Sequence, residues 1–172
     1  TFDTALVGID MVDREGRLLE ANVALTRILG YTRDELRLKT ILDVTHPDDV
    51  ERSRLMHESM VAGQIEDYRL EKRYVRKDGQ VIWADTGVAA LRGPHGEYQA
   101  TIGVILDITQ RKKSEEAQGM LAAAVYQSAD TVVITDPQGA IVYVNPSFER
   151  VTGYSPEEAI GSKPSILSSG HH

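Results

Sequence analysis

The chain repeats itself at one fixed separation. Asp13-Arg14-Glu15-Gly16 lies between two apolar runs, and Asp136-Pro137-Gln138-Gly139 lies between two others. The shift that carries Asp13 onto Asp136 also carries Asn22 onto Asn145, Arg27 onto Arg150, Gly30-Tyr31 onto Gly153-Tyr154 and Glu35 onto Glu158, with no gap. Whatever fold the first segment adopts, the second must begin in the same way.

Local chemistry says what that beginning is. Leu6 to Val12 reads as a strand, Asp13 to Gly16 as a turn and Arg17 to Ala21 as the return strand of a hairpin. Asn22 is placed to cap a helix that puts Leu25, Ile28 and Leu29 on one face and ends at Gly30. Thr32 to Glu35 spells a capping box for a short second helix, and Ser155 to Glu158 spells the same box in the repeat, with Pro156 at its first position.

After this opening the first copy continues alone. Pro47, Asp48 and Asp49 suit the first turn of a helix running to about Ala62, where Met56 and Met60 share a face and Gly63 ends the run. Three alternating strands follow. Glu66 to Arg76 sets Tyr68, Leu70 and Tyr74 on one side, and Lys77-Asp78-Gly79 turns the chain. Val81 to Leu91 carries Trp83, the sole tryptophan. In the last strand Tyr98, Ala100, Ile102, Val104 and Leu106 alternate with smaller or polar residues. Two strands, then helices, then three strands predict an α+β domain: an antiparallel sheet with its helices on one face.

Composition closes off several functions. A net charge of −7 argues against a nucleic-acid surface, and a chain without cysteine has no disulfide, thiolate metal site or cysteine nucleophile. No apolar run reaches the length needed to span a bilayer, and a cysteine-free chain suits a reducing cytoplasm. The start at Thr1, without Met, reads as an excised fragment whose targeting segments lie elsewhere. The final Gly170-His171-His172 reads equally as native chain or as the start of a tag.

Taken in order, LLEANVALTRILGYTRDEL (18–36), HPDD (46–49), EKRYVRKDGQVIW (71–83) and GVILDITQRKKSEE (103–116) resemble the PAS sensory domains of bacterial signalling proteins, the last two matching the C-terminal PAC part. ITDPQGAIVYVNPSFERVTGYSPEEAIG (134–161) resembles the opening of a second one. The resemblance implies a five-stranded sheet of order 2-1-5-4-3 whose helices enclose a small pocket. It also implies signal input, dimerisation and relay to an effector in the same polypeptide, such as a histidine kinase or a cyclic-di-GMP enzyme, with no catalysis in the fragment. The expected organisation is a complete PAS domain over 1–109, a helical linker over 110–128 and a truncated second PAS domain over 129–172 that either docks on another surface, such as a second chain, or is ordered only by crystal packing.

The pocket candidates are Leu25, Ile28, Met56, Met60, Tyr74, Trp83 and Val104, all of which also serve as plain core. Asp107, Ile108 and Thr109 end the last strand. The following helix recurs at Ala117, Leu121, Ala124 and Ser128, with Val125 beside them, a narrow seam of the coiled-coil kind. Asp107, Ile108, Thr109, Leu121 and Ala124 are therefore the relay candidates, and a homodimer is the expected assembly. His46, Asp48, Asp49 and His57 lack a metal-site spacing, so no metal is expected. His57 lies off the face of Met56 and Met60, which argues against haem. Gly161-Ser162-Lys163-Pro164 offers no thiol, which excludes cysteinyl-flavin photochemistry. No cofactor is expected in the first copy, and flavin stays open for a complete second one.

Overall fold

The computed structural model describes residues 6–168. β1 (Gly8–Val12) and β2 (Leu18–Ala21) form the opening hairpin, followed by α1 (Val23–Leu29) and α2 (Arg33–Arg37). A 3-10 turn over Leu42–Val44 leads into α3 (Pro47–Val61), and β3 (Asp67–Val75), β4 (Val81–Arg92) and β5 (Tyr98–Asp107) complete an antiparallel sheet of order β2-β1-β5-β4-β3. The chain divides into two units between Lys112 and Lys113, a boundary that falls inside α4 (Thr109–Gln127). In the second unit β6 (Val133–Thr135) pairs with β7 (Ile141–Val144), and α5 (Pro146–Thr152), α6 (Pro156–Ala159) and a 3-10 turn over Pro164–Ser168 follow. The terminal Gly170-His171-His172 and the first five residues of the expected domain over 1–109 lie outside the described residues.

The first unit's core is built where sheet and helices meet: Val12, Leu18, Leu25, Leu29, Leu36, Val44, Tyr74, Ile82, Ala84 and Ile105. The second unit has a small core of its own, Ile141, Val144, Phe148 and Ala159, with Val133 and Tyr154 packed against it.

The repeat is exact down to individual hydrogen bonds. Asn22 is fully buried. Its Oδ1 accepts from the N–H of Leu25 and of Ile9, each at 2.9 Å, and its Nδ2 donates to the Val7 carbonyl at 2.9 Å. It caps α1 and pins that cap to β1. Asn145 repeats the pattern with Phe148 (3.2 Å), Val132 (2.9 Å) and the Asp130 carbonyl (2.9 Å). Gly30 and Gly153 end α1 and α5, both at φ 77, a left-handed conformation that favours glycine. Both capping boxes are closed, Thr32 with Glu35 and Ser155 with Glu158.

β5 departs from the simple alternation near its start. Arg92 opposes Tyr98 while Leu91 opposes Ala100, so Gln99 has no partner across the ladder. This bulge shifts the phase of β5. Tyr98 and Thr101 come to the same side, with their hydroxyls 2.7 Å apart. Thr101, Gly103 and Ile105 then face the helices and are buried, while Val104 and Leu106 are exposed on the other face.

Replacing Asn22 by alanine removes the cap and leaves two N–H groups and a carbonyl without their partner. The expected loss is about 2–4 kcal/mol of unfolding free energy, read from urea denaturation.

Candidate functional site

Between α3 and the inner face of the sheet lies a cavity of ≈ 20 Å³. Its lining is more polar than the apolar candidates predict: Asp10, Ser53, His57, Tyr68, Lys72, Thr86 and Thr101 join Val12, Ile41, Tyr74, Val88 and Gly103. The space suits about one or two water molecules, whereas small-molecule sites run to roughly 300–1,000 Å³. Neither an isoalloxazine nor a porphyrin fits it.

Two charged side chains dominate this space. Asp10 projects from β1 directly over Gly103 of β5, its register partner. A Cβ at Gly103 would stand 2.4 Å from Asp10 Oδ1, so the close approach requires glycine. Burial pushes the Asp10 carboxyl up to about 6, against the opposing pull of the Lys72 charge and the Gly103 N–H. Lys72 projects from β3 and donates to Thr45 Oγ1 and Ser53 Oγ, each at 3.2 Å, with its ammonium 4.6 Å from the centre of the Tyr74 ring. Burial pulls its pKa down to about 8, offset in part by Asp10 and Asp49. Asp10 and Lys72 act on each other through space, not by a hydrogen bond. Tyr68 is pushed up to about 12 by burial, and Tyr74 is raised by the same cause, with its hydroxyl 3.4 Å from Thr86 Oγ1.

The pocket candidates divide. Tyr74 lines the cavity; Leu25 and Leu29 fill the core beside it, and Ile28 packs on that core. Met60 is buried against β5, where Thr101 Oγ1 donates to its sulfur at 3.3 Å. Met56 does not line the cavity: α3 turns Ser53 and His57, one turn apart, toward it, and leaves Met56 half-buried. His57 therefore faces the space it was expected to avoid, with its Nε2 3.0 Å from the Arg14 carbonyl. Trp83 and Val104 lie on the other face of the sheet. For Trp83 the inward phase of β4 belongs to Ile82, Ala84, Thr86 and Val88; for Val104 the cause is the β5 bulge.

Asp10 and Lys72 are the residues that pattern reading missed. The signal was present, since Lys72 continues the inward row Tyr68, Leu70, Tyr74. A charged residue in an inward phase carries no apolar signal, so hydrophobic periodicity alone does not mark it.

Outside the cavity, β3 and β4 grip the start of α4. Trp83 N–H donates to Thr109 Oγ1 at 3.0 Å, and the Trp83 carbonyl accepts from Ile108 N–H at 2.9 Å. Asp107 Oδ1 accepts from Thr109 N–H at 2.9 Å. The indole lies between two cations, the Arg73 guanidinium at 5.4 Å and the Lys112 ammonium at 5.1 Å from the ring centre. Glu71 receives Arg111 Nη2 at 2.6 Å and Lys112 Nζ at 2.5 Å. Hydrogen bonds from Lys112 and Arg111 hold its carboxyl below the usual glutamate range. Arg73 in turn binds Asp49 in the first turn of α3, at 2.9 Å, and holds that carboxyl low. Leu121 and Ala124, farther along α4, are exposed. His46 caps α3 by accepting from Asp48 N–H. Among the described residues no group of three or more His, Cys, Asp or Glu is arranged to hold a metal ion, and no helix is long and apolar enough to cross a membrane.

A family model described as the PAS fold matches residues 18–105, and a second of the same description matches residues 119–172. The chain belongs to the PAS family. Two bacterial signalling proteins are among the relatives of this PAS tandem. One, named "Probable diguanylate cyclase DgcE" from Escherichia coli (strain K12), is 35% identical over 120 residues, 70% of this chain and 11% of that protein. The other is the sensor histidine kinase TmoS of Ectopseudomonas mendocina, 29% identical over 126 residues, 73% of this chain and 13% of that protein. The chain thus spans about a tenth of the length of the curated relatives it matches. The PAS domain of a Colwellia psychrerythraea protein superposes with a TM-score of 0.59 at 23% identity, covering 63% of this chain and 92% of that one, a likeness of fold. PAS modules are sensory units, and the relatives' named activities belong to proteins far longer than the matched segment.

The raised Asp10 carboxyl makes a signed prediction. A group whose folded-state pKa lies above its ordinary value of 3.8 favours the folded state at low pH and loses that contribution as pH rises through about 6. The stability of Asp10→Asn relative to the parent chain will therefore improve as pH rises from about 4 to about 7, by up to about 3 kcal/mol. Urea denaturation of both chains across that range checks it.

Proposed function

We propose that this chain is the sensory input and relay segment of a larger cytoplasmic signalling protein. In this reading the first PAS module registers a chemical change at its cavity and passes it through α4 to an effector domain in the same polypeptide. The diguanylate cyclase and the sensor histidine kinase among the relatives support an effector of one of those two kinds. One observation carries the reading. Three consecutive residues of β3 connect the two places: Lys72 faces the cavity, while Glu71 and Arg73 on either side hold α4 and the indole that supports it.

Amide exchange tests it. Glu71→Ala removes a partly exposed ion pair, so stability changes by under about 1 kcal/mol while exchange of residues 109–115 rises. Ser53→Ala takes a hydroxyl from Lys72 inside the cavity, far in sequence from α4, and will also change exchange in 109–115. Unchanged exchange there in Ser53→Ala removes the relay reading.

A second reading, an interaction module that sets oligomeric state, draws on α4 itself. No residue of this 19-residue helix is buried, and Met120, Leu121 and Tyr126 are exposed. Such a helix suits pairing with a second copy along the seam that contains Leu121 and Ala124. Light scattering of the purified chain will report a dimer that Leu121→Glu converts to monomer.

A further inference from the structure

The cavity's chemistry narrows what the first module reads, an inference that rests on the relay reading and adds its input. Two opposite charges face a space of ≈ 20 Å³. Asp10 is 4% exposed and has the Gly103 N–H beside it; Lys72 is 4% exposed and is held by two hydroxyls and an aromatic face. A bulky apolar ligand has no room here and would leave both charges without solvation. The species that the space and the charges admit is a proton delivered by solvent.

We infer that the first module is a proton-responsive sensor: the Asp10 carboxylate takes up a proton from solvent through the cavity, becomes a neutral acid, and changes the charge that Lys72 meets across that space. One O–H bond forms on Asp10 and a hydronium ion is consumed; no other reactant is needed.

The surrounding groups support this assignment. From β3, Tyr68, Lys72 and Tyr74 face Asp10, and from α3, His57 faces it, while Asp49 acts on Lys72. β4 contributes Thr86 and Val88 and β5 contributes Thr101 and Gly103, none of them charged. Among the described residues that line the cavity, Lys72 is thus the cation whose balance depends on Asp10. With the carboxyl at about 6 and the amine at about 8, the opposed charges coexist in the interval between those values. Below it the buried ammonium keeps Thr45, Ser53, the Tyr74 ring and the pull of Asp49 but loses the attraction of Asp10, and its position in the cavity shifts. Because Glu71 and Arg73 share its strand, displacement of Lys72 is felt where α4 is gripped.

Trp83 supplies the reporter, since it is the sole tryptophan and lies between Arg73 and Lys112. On the 172-residue chain, carbon-detected NMR follows the Asp10 carboxyl from about pH 4 to 9 while Trp83 emission and the indole N–H shift are read in parallel. The expected result is an Asp10 midpoint about two pH units above an exposed aspartate, with Trp83 following at the same midpoint. Asp10→Asn will abolish the Trp83 transition, and His57→Gln will retain it, which assigns the response to the carboxyl and not to the imidazole that lines the same cavity. Three results overturn the proposal: an Asp10 midpoint near 4, a Trp83 transition that survives Asp10→Asn, or a Trp83 signal that does not move with pH in the parent chain. The last is distinguished from failure of the relay by the Ser53→Ala exchange measurement. A changed α4 with a silent pH response leaves the relay standing without a proton input, and an unchanged α4 removes the relay as well.

Discussion

The pleat of β3 is the constraint on which the rest depends. Side chains of a strand alternate between its two faces, so Glu71 and Arg73 must point one way and Lys72 the other. The sheet order puts β3 at an edge, beside β4, where its inner face looks onto α3 and its outer face onto the start of α4. Exact register sets Arg73 opposite Trp83 and Lys72 opposite Ala84. Ala84 leaves the inner side uncrowded, and Trp83 gives the outer side a broad surface for two cations. A register slip of one residue would exchange these faces and destroy both sites.

The molecule treats its buried polar groups in two ways. Asn22 and Asn145 have partners for both ends of the amide, and each ties a helix start to the neighbouring strand. Such satisfied networks specify a unique arrangement. Asp10 and Lys72 are buried with fewer partners, and burial pushes both toward their neutral forms. Burying charge without full compensation costs stability, and groups displaced in this way collect at functional sites. The asparagines hold the scaffold; the charges give its cavity a response.

Most of the scaffold is legible in the sequence. The repeat, both caps, both capping boxes, the hairpin turns and the α3 start depend on residues a few positions apart, where local geometry decides the outcome. Even the dual role of Asn22 has a local half, the cap to Leu25. Its other half, the bonds to Val7 and Ile9, needs the hairpin to bring β1 alongside. The site was legible only in part. Tyr74 lines the cavity, and Ile108 and Thr109 hydrogen-bond to Trp83. Met56, Trp83 and Val104 have the apolar character of inward-facing residues, but the turn of α3, the phase of β4 and the bulge at Gln99 point them away from the cavity.

The sequence by itself determined the modular plan: two copies of one opening, a complete first sheet and a helix between them. These follow from turn chemistry, capping and periodicity, which act over a few residues. Only the tertiary structure decided that the cavity within the apolar core has polar walls, that His57 faces it, and that Asp10 and Lys72 oppose each other although 62 positions separate them in the chain. The physical reason is that strand pairing sets distance across the sheet. Asp10 reaches the cavity through its pairing with Gly103, and Lys72 through two further ladders, and no local pattern encodes where those ladders meet.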